Sequence, residues 1–285
     1  MLGLPKPLHP LVSLVDNTKI AVDKDKLPAA FLFNFYKISY KTVLRGKIRY
    51  GQNYYDFDEG GLVFTAPNQV LAITDDTEYL GSTLLFHPDF IRNYPLGENI
   101  KKFGFFSYDT HEALHLSEKE KAVILNIFRN MEDELQSTID DFSQDVIIAQ
   151  IELLLNYSNR FYKRQFLTRK AVNSDLLSQL EHLLDDYFDK ESALTKGLPT
   201  VQYLAEQLHV SPRYLSDMLR SLTGQNAQQH IHHKLIEKAK VMLSTSNLSV
   251  AEVAYQLGFE YPQSFNKLFK RKTSLSPLEF RESFN

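Results

Sequence analysis

The apolar positions along the chain follow two different periods. Between residue 11 and about residue 87 they favour strands. Phe31, Phe33 and Phe35 alternate with Leu32, Asn34 and Tyr36, a period-2 run rich in aromatic side chains. Ile48, Tyr50, Tyr54, Tyr55 and Phe57 follow, and Asp58-Glu59-Gly60-Gly61 then supplies a turn whose glycines accept positive φ. Leu62-Val63-Phe64-Thr65 resumes a strand that Pro67-Asn68 ends, and Val70 to Ile73 and Tyr79 to Phe86 are the last clear strands. Short strands at roughly 10-residue spacing predict a β-sandwich or a small barrel.

From Ser117 onward the period is that of an α-helix. Ser117 and Glu120 form a capping box ahead of Val123, Ile124, Ile127, Phe128, Met131 and Leu135. A second helix is expected from about Phe142 to Phe166, and a third between Ser174 and Asp189. Lys190 to Pro199, with Gly197 and Pro199, reads as a linker.

The last ninety residues or so carry one pattern twice. Leu204, Ala205 and Leu208 recur as Val253, Ala254 and Leu257 at an offset of 49, whereas Leu215 and Thr223 recur as Phe265 and Thr273 at an offset of 50. One extra residue therefore sits in the turn of the second copy. Each copy is a short helix, a tight turn and a second helix, which is helix-turn-helix spacing. Ser211-Pro212 and Pro262 suit helix starts, Ser249 and Glu252 form a capping box, and Gly258 suits a helix end. Ile231, Leu235, Ala239 and Met242 predict a connecting helix, and Ser276-Pro277-Leu278-Glu279 opens a last short one.

Two such units in tandem, joined by a helix, resemble the AraC/XylS family of bacterial transcription regulators. The resemblance lies in "VQYLAEQLHVSPRYLSDMLRSLTG", "IHHKLIEKAKVML" and "SVAEVAYQLGFEYPQSFNKLFKRKTSLSP", and runs from about Ser192 to Phe284. Ser274 departs from it, because glycine is usual there. The β-rich first half followed by helices is similar to the cupin-like sensing and dimerisation domain of many members. The implied fold class is two-domain α+β: an N-terminal cupin-like β-barrel or sandwich with helices, and a C-terminal all-α tandem helix-turn-helix domain. The expected boundaries are 1–168 for the sensing domain with its trailing helices, 169–199 for a connecting helix and linker, and 200–285 for the DNA-binding domain.

Composition refines this picture. At 285 residues, about two domains are expected, and 43% hydrophobic with 24% charged residues is ordinary for a globular protein. There is no cysteine, which excludes disulfides, thiolate metal sites and cysteine nucleophiles. No apolar run is long enough for a membrane helix, and the first twenty residues do not read as a signal peptide, so a cytoplasmic protein without a membrane partner is expected. The net charge is −3, but residues from Thr195 onward hold 11 Lys+Arg against 7 Asp+Glu. A basic tail on an acidic body points to a polyanion partner for the tail alone.

The exposed positions of the second helix in each copy are Arg213, Ser216, Asp217 and Arg220, then Gln263, Asn266, Lys267, Lys270 and Arg271. The resemblance makes these the DNA-binding residues, each helix lying in one of two adjacent major grooves about 34 Å apart. It implies base reading by Arg213, Ser216, Asp217, Gln263 and Lys267. Arg213 suits guanine, Gln263 adenine and Asp217 cytosine N4, although a carboxylate also repels phosphates. Lys270 and Arg271 come late in their helix and suit phosphate contact. Double-stranded DNA is the expected partner, with a small-molecule effector, RNA polymerase and a second copy of the chain as further candidates. His230, His232 and His233 read as a solvated surface.

His111-Glu112-Ala113-Leu114-His115 matches H-E-x-x-H, and a zinc-dependent hydrolase using His111, Glu112 and His115 is the alternative. Against it, the helix cap at Ser117 leaves the motif outside the helix, and a third ligand must come from Glu132 or Glu134. His87 is the one histidine near the strands that a cupin metal site would recruit, and Leu11 to Phe86 contains no other. No catalytic, cofactor or metal site is therefore assigned.

Overall fold

In the computed structural model, residues 7–19, 30–45, 48–50, 53–55, 60–72, 78–137, 140, 142–190 and 192–284 are described. Phe57, Asp58, Glu59 and Ile73 lie outside them, as do the side chains of Phe31, Tyr50, Tyr54 and Tyr55. The chain divides into two units, Met1–Thr168 and Arg169–Asn285.

The first unit is built on antiparallel strands: β1 (Val12–Asp16), β2 (Ala30–Leu32), β3 (Tyr36–Arg45), β4 (Ile48–Tyr50), β5 (Asn53–Tyr55), β6 (Gly61–Thr65), β7 (Val70–Ala72), β8 (Glu78–Phe86) and β9 (Leu114–His115). Five form a sheet in the order β1-β8-β3-β6-β9, while β2 pairs with β7 and β4 with β5. The run from Phe31 to Phe35 is not one strand, because the chain leaves β2 at Leu32 and bends at Asn34 and Phe35 before β3.

The two faces of the five-stranded sheet differ sharply. One carries Val12, Ile38, Leu62, Phe64, Leu84 and Phe86, all buried. Aromatic rings cover it: Phe64 lies 4.3 Å from Phe105 between ring centroids, and Phe105 stacks on Tyr162 at 5.5 Å. Phe64 is thus core. The other face carries Lys37, Ser39 and Lys41 on β3, opposite Thr65 on β6 and Thr83 on β8. Ser39, Lys41, Thr65 and Thr83 are buried as well, and the Ser39 and Thr83 hydroxyls lie 3.0 Å apart. Lys41 is flanked across the sheet by Gly61 and Gly81, so neither neighbouring strand sets a side chain beside it. A Cβ at Gly81, where φ is +130°, would fall 2.1 Å from the Tyr40 carbonyl oxygen.

The helices of this unit are α1 (Pro88–Ile91), α2 (Pro95–Asn99), α3 (Glu118–Gln136) and α4 (Ser143–Thr168). Ser117 and Glu120 close the expected capping box on α3. Helix α4 holds the edge strand β9: Gln165 accepts from the His115 amide at 2.8 Å and donates to the Ala113 carbonyl at 3.2 Å. Between α2 and β9 the chain makes short 3-10 turns that no period announces.

The second unit holds α5 (Lys170–Asp189), α6 (Ser192–Lys196), α7 (Val201–Gln207), α8 (Pro212–Thr223), α9 (Ala227–Thr245), α10 (Val250–Gln256), α11 (Pro262–Thr273) and α12 (Pro277–Glu282). The stretch read as a linker thus contains a helical turn, α6. The two helix-turn-helix copies, α7–α8 and α10–α11, share one turn design. Val210 donates to the Ala205 carbonyl and Phe259 to the Ala254 carbonyl, both at 3.0 Å. The residue before each donor is left-handed: His209 at φ 55° and Gly258 at φ 89°. The extra residue follows, so α8 starts after Ser211 and α11 after Tyr261. Each second helix also ends on a left-handed residue, Gly224 at φ 76° and Ser274 at φ 66°.

Two outcomes are expected. Ser274→Gly relieves a left-handed non-glycine residue and raises the stability of residues 169–285 by about 0.5–1 kcal/mol. Gly258→Ala lowers it by about 2 kcal/mol or more, because its Cβ would meet the Gly197 carbonyl carbon at 2.7 Å. Urea unfolding of the three forms measures both. In the first unit, burial, with Lys37 second, lowers the Lys41 ammonium to about 8. The unfolded chain, with lysine near ~10.4, binds the extra proton above that value, so stability rises with pH from about 8. Half-buried Tyr36 and buried Tyr40, whose hydroxyls desolvation raises, oppose the rise above about pH 10. Unfolding between pH 7.5 and 10 should show the rise in the native chain and a flatter profile in Lys41→Met.

Candidate nucleic-acid interface

Helix α8 is capped by Ser211, whose hydroxyl accepts from the Tyr214 amide, with Pro212 in the first turn. Its buried stripe is Tyr214, Leu215, Met218 and Leu219. Arg213 and Arg220 stand on the opposite, exposed side, with Ser216 and Asp217 half-buried between them. Helix α11 buries Phe265, Leu268 and Phe269 and exposes Gln263, Asn266, Lys267, Lys270 and Arg271. Each helix therefore leaves its polar side outward, as the spacing predicts.

Helix α9 fixes both copies. Leu235, Ile236, Ala239 and Leu243 join Val253, Ala254, Leu257, Phe259, Phe265, Leu268 and Phe269 in one buried cluster. Towards its other end α9 packs on α8, and His230 lies 2.9 Å from the Thr223 hydroxyl. Asn226 and Gln229 form a capping box that opens α9, a signal present in the sequence and missed there. On a further side of α9, Lys234 and Lys238 pair with Asp185, and Lys238 also reaches Asp189 at 2.5 Å. The acidic groups of α5 thus neutralise α9.

The electrostatics of the two exposed helix faces differ. On α8, Arg213 and Arg220 both pair with Asp217. On α11, no ion pair engages Lys267, Lys270, Arg271 or Lys272 among the described residues. Their field reaches α9: the His232 imidazole is lowered by burial, then by Lys272 and Arg271. His230 is lowered chiefly by burial. These histidines are half-buried, so the solvated surface expected for them is only partly realised.

The H-E-x-x-H residues do not form a zincin arrangement. That geometry needs both imidazoles one helical turn apart on an α-helix. Here a 3-10 turn spans Thr110–Glu112, Ala113 is extended, and His115 lies on β9. Asp109, His111 and Glu112 bring possible ligand atoms within 4.8 Å of one another, but His115 is outside that group. The Glu112 carboxylate instead accepts from the Asp109 amide at 2.7 Å, closing a capping box on the turn. Neither Glu132 nor Glu134 belongs to the group.

A family profile described as a helix-turn-helix domain matches residues 204–283. The chain is also 30% identical over 141 residues to the HTH-type transcriptional activator RhaS of Salmonella paratyphi B and of Salmonella newport, a match covering 49% of this chain and 46% of each relative. Residues 204–283 of the carboxy-terminal unit are thus a helix-turn-helix domain. The chain spans about half the length of the curated relatives it matches. Among solved structures, the chain is similar to the DNA-binding domain of AdpA, the global transcriptional factor, in complex with a target DNA, at 28% identity over 39% of this chain and 91% of that one, with a TM-score of 0.32. Unsaturated fatty acid bound ToxT from Vibrio cholerae is 15% identical over 88% of this chain and 87% of that one, with a TM-score of 0.30. No helix among the described residues is long and apolar enough to cross a membrane.

Proposed function

We propose that the chain is a sequence-specific DNA-binding transcription regulator. The observation that carries this reading is the pair of helix-turn-helix copies, each packed on α9, whose polar faces on α8 and α11 lie opposite the stripes they bury. The RhaS relatives are named transcriptional activators, which supports the same reading. Helices α8 and α11 enter adjacent major grooves of double-stranded DNA. Arg213, Ser216, Gln263 and Lys267 meet base edges, Lys270 and Arg271 meet phosphates, and Arg220 and Asn266 share their helix faces. RNA polymerase and a second copy of the chain are the macromolecular partners this reading leaves to be tested.

The first unit, read as a cupin-like sensing half, responds to a small effector. Its five-stranded sheet supports a polar, anionic effector: Lys37, Ser39, Lys41, Thr65 and Thr83 share the face turned away from the helices. The strand aromatics Phe33, Phe35, Tyr50, Tyr55 and Phe64 suit plain core more than a cavity lining, and Phe64 is taken up by core packing.

Selection of duplexes from a random pool by the full chain, followed by titration at several salt concentrations, tests the main reading. Enrichment of a site with two contacted segments about one helical turn apart is expected. Gln263→Ala should cost roughly 1–3 kcal/mol and relax one base position. Arg271→Ala should weaken binding evenly across sequences and reduce the salt slope by about one. Failure to enrich any duplex at low salt overturns the reading. A fragment of residues 169–285 should retain the selected sequence, because both copies, α9 and the charges that neutralise it lie within it.

A further inference from the structure

Asp217 stands where a direct reader of cytosine was expected, yet its surroundings assign it other work. It lies four residues after Arg213 and three before Arg220 on α8. The Arg213 Nε–H donates to Oδ2 at 2.9 Å, and Arg220 Nη1 lies 3.5 Å from Oδ1. Each carboxylate oxygen thus faces one guanidinium. The depth matters too: the Asp217 side chain is 18% exposed, against 45% for Arg213 and 55% for Arg220. A carboxylate reading a base must project at least as far as its neighbours, and this one sits beneath them.

We propose that Asp217 is a positioning residue that sets Arg213 for base reading and contacts no base itself. This rests on the DNA-binding reading above. The chemistry follows from the guanidinium. Arginine has five N–H donors in a fixed plane. With Nε–H engaged by Asp217, the Nη edge remains for the O6 and N7 acceptors of guanine. A long side chain is thereby fixed before binding, so less rotamer freedom is lost on contact. The same carboxylate takes up charge from Arg213 and Arg220, leaving the three residues at a net +1. A weakly charged face discriminates, since it gains little from phosphates that are the same in every sequence.

The second copy lacks this device. At the offset of 50, Asp217, Arg213 and Arg220 correspond to Lys267, Gln263 and Lys270, and no carboxylate occupies the α11 face. The two helices therefore divide the work. Helix α11 supplies charge-driven attachment, and α8 supplies selectivity through a held arginine.

The test uses the full chain, the duplex it selects, and the variants Asp217→Ala, Asp217→Asn, Arg213→Ala and Asp217→Ala with Arg213→Ala. Asp217→Ala should lose about tenfold discrimination at the same base pair that Arg213→Ala relaxes. It should bind a scrambled duplex more tightly than the native chain. In the Arg213→Ala background it should change base preference no further. Asp217→Asn, which keeps one acceptor for Nε–H, should retain part of the discrimination. A second base pair losing its preference in the Arg213→Ala background would mean that Asp217 reads DNA directly, and unchanged preference in Asp217→Ala would mean that it does nothing. Both overturn the proposal. A DNA-free readout separates it from the reading it rests on. Nitrogen-15 relaxation of the Arg213 Nε–H in the free chain should report an ordered side chain that becomes mobile in Asp217→Ala. Equal mobility in both overturns the clamp, whereas failure to select any duplex overturns only DNA binding.

Discussion

The arrangement of the second unit depends on α9 being apolar on more than one side. An amphipathic helix normally commits a single stripe to a single core. Here Ala227, Ile231, Leu235, Ile236, Ala239 and Leu243 are all buried, and the last four merge with the core of the second copy. Lys234 and Lys238 spend another side on the carboxylates of α5. With α9 occupied in this way, the orientation of both copies is set by one rigid rod. The polar side chains of α8 and α11 are among those left outward.

Local signals were the legible ones. The capping boxes at Ser117, Ser249 and Ser276, and the Ser211-Pro212 start of α8, depend on residues a turn apart, and all appear where the spacing puts them. The repeat was legible because apolar stripes had to be kept in both copies. What escaped was set by distant contacts or carried no period. The short helices and 3-10 turns between Pro88 and Glu112 have neither length nor periodicity. His209 adopts a left-handed conformation with no glycine to announce it. On β3 Lys37, Ser39 and Lys41 alternate with Ile38 and Tyr40, yet Ser39 and Lys41 are buried, as the apolar pair is. Sequence shows which residues share a face, not what covers it.

The site was legible by position and only half legible by role. Arg213 and Gln263 fall outward on their helices as the spacing predicts. The i,i+4 and i,i+3 relation of Asp217 to its two arginines was also open to view, since such spacings bring side chains together on a helix. The reading of Asp217 as a cytosine reader left that relation out of account, and the ion pairs with Arg213 and Arg220 are what the structure adds.

The extra residue of the second turn has a practical consequence for anyone wishing to transplant recognition. Both turns are alike through Val210 and Phe259, where the amides reach back to Ala205 and Ala254. They part only afterwards, at Glu260, before the prolines that open α8 and α11. A cassette cut at Pro212 or Pro262 can be moved between the copies with its host's turn left intact. A cut made earlier carries the other copy's turn length with it and changes how the chain enters the second helix.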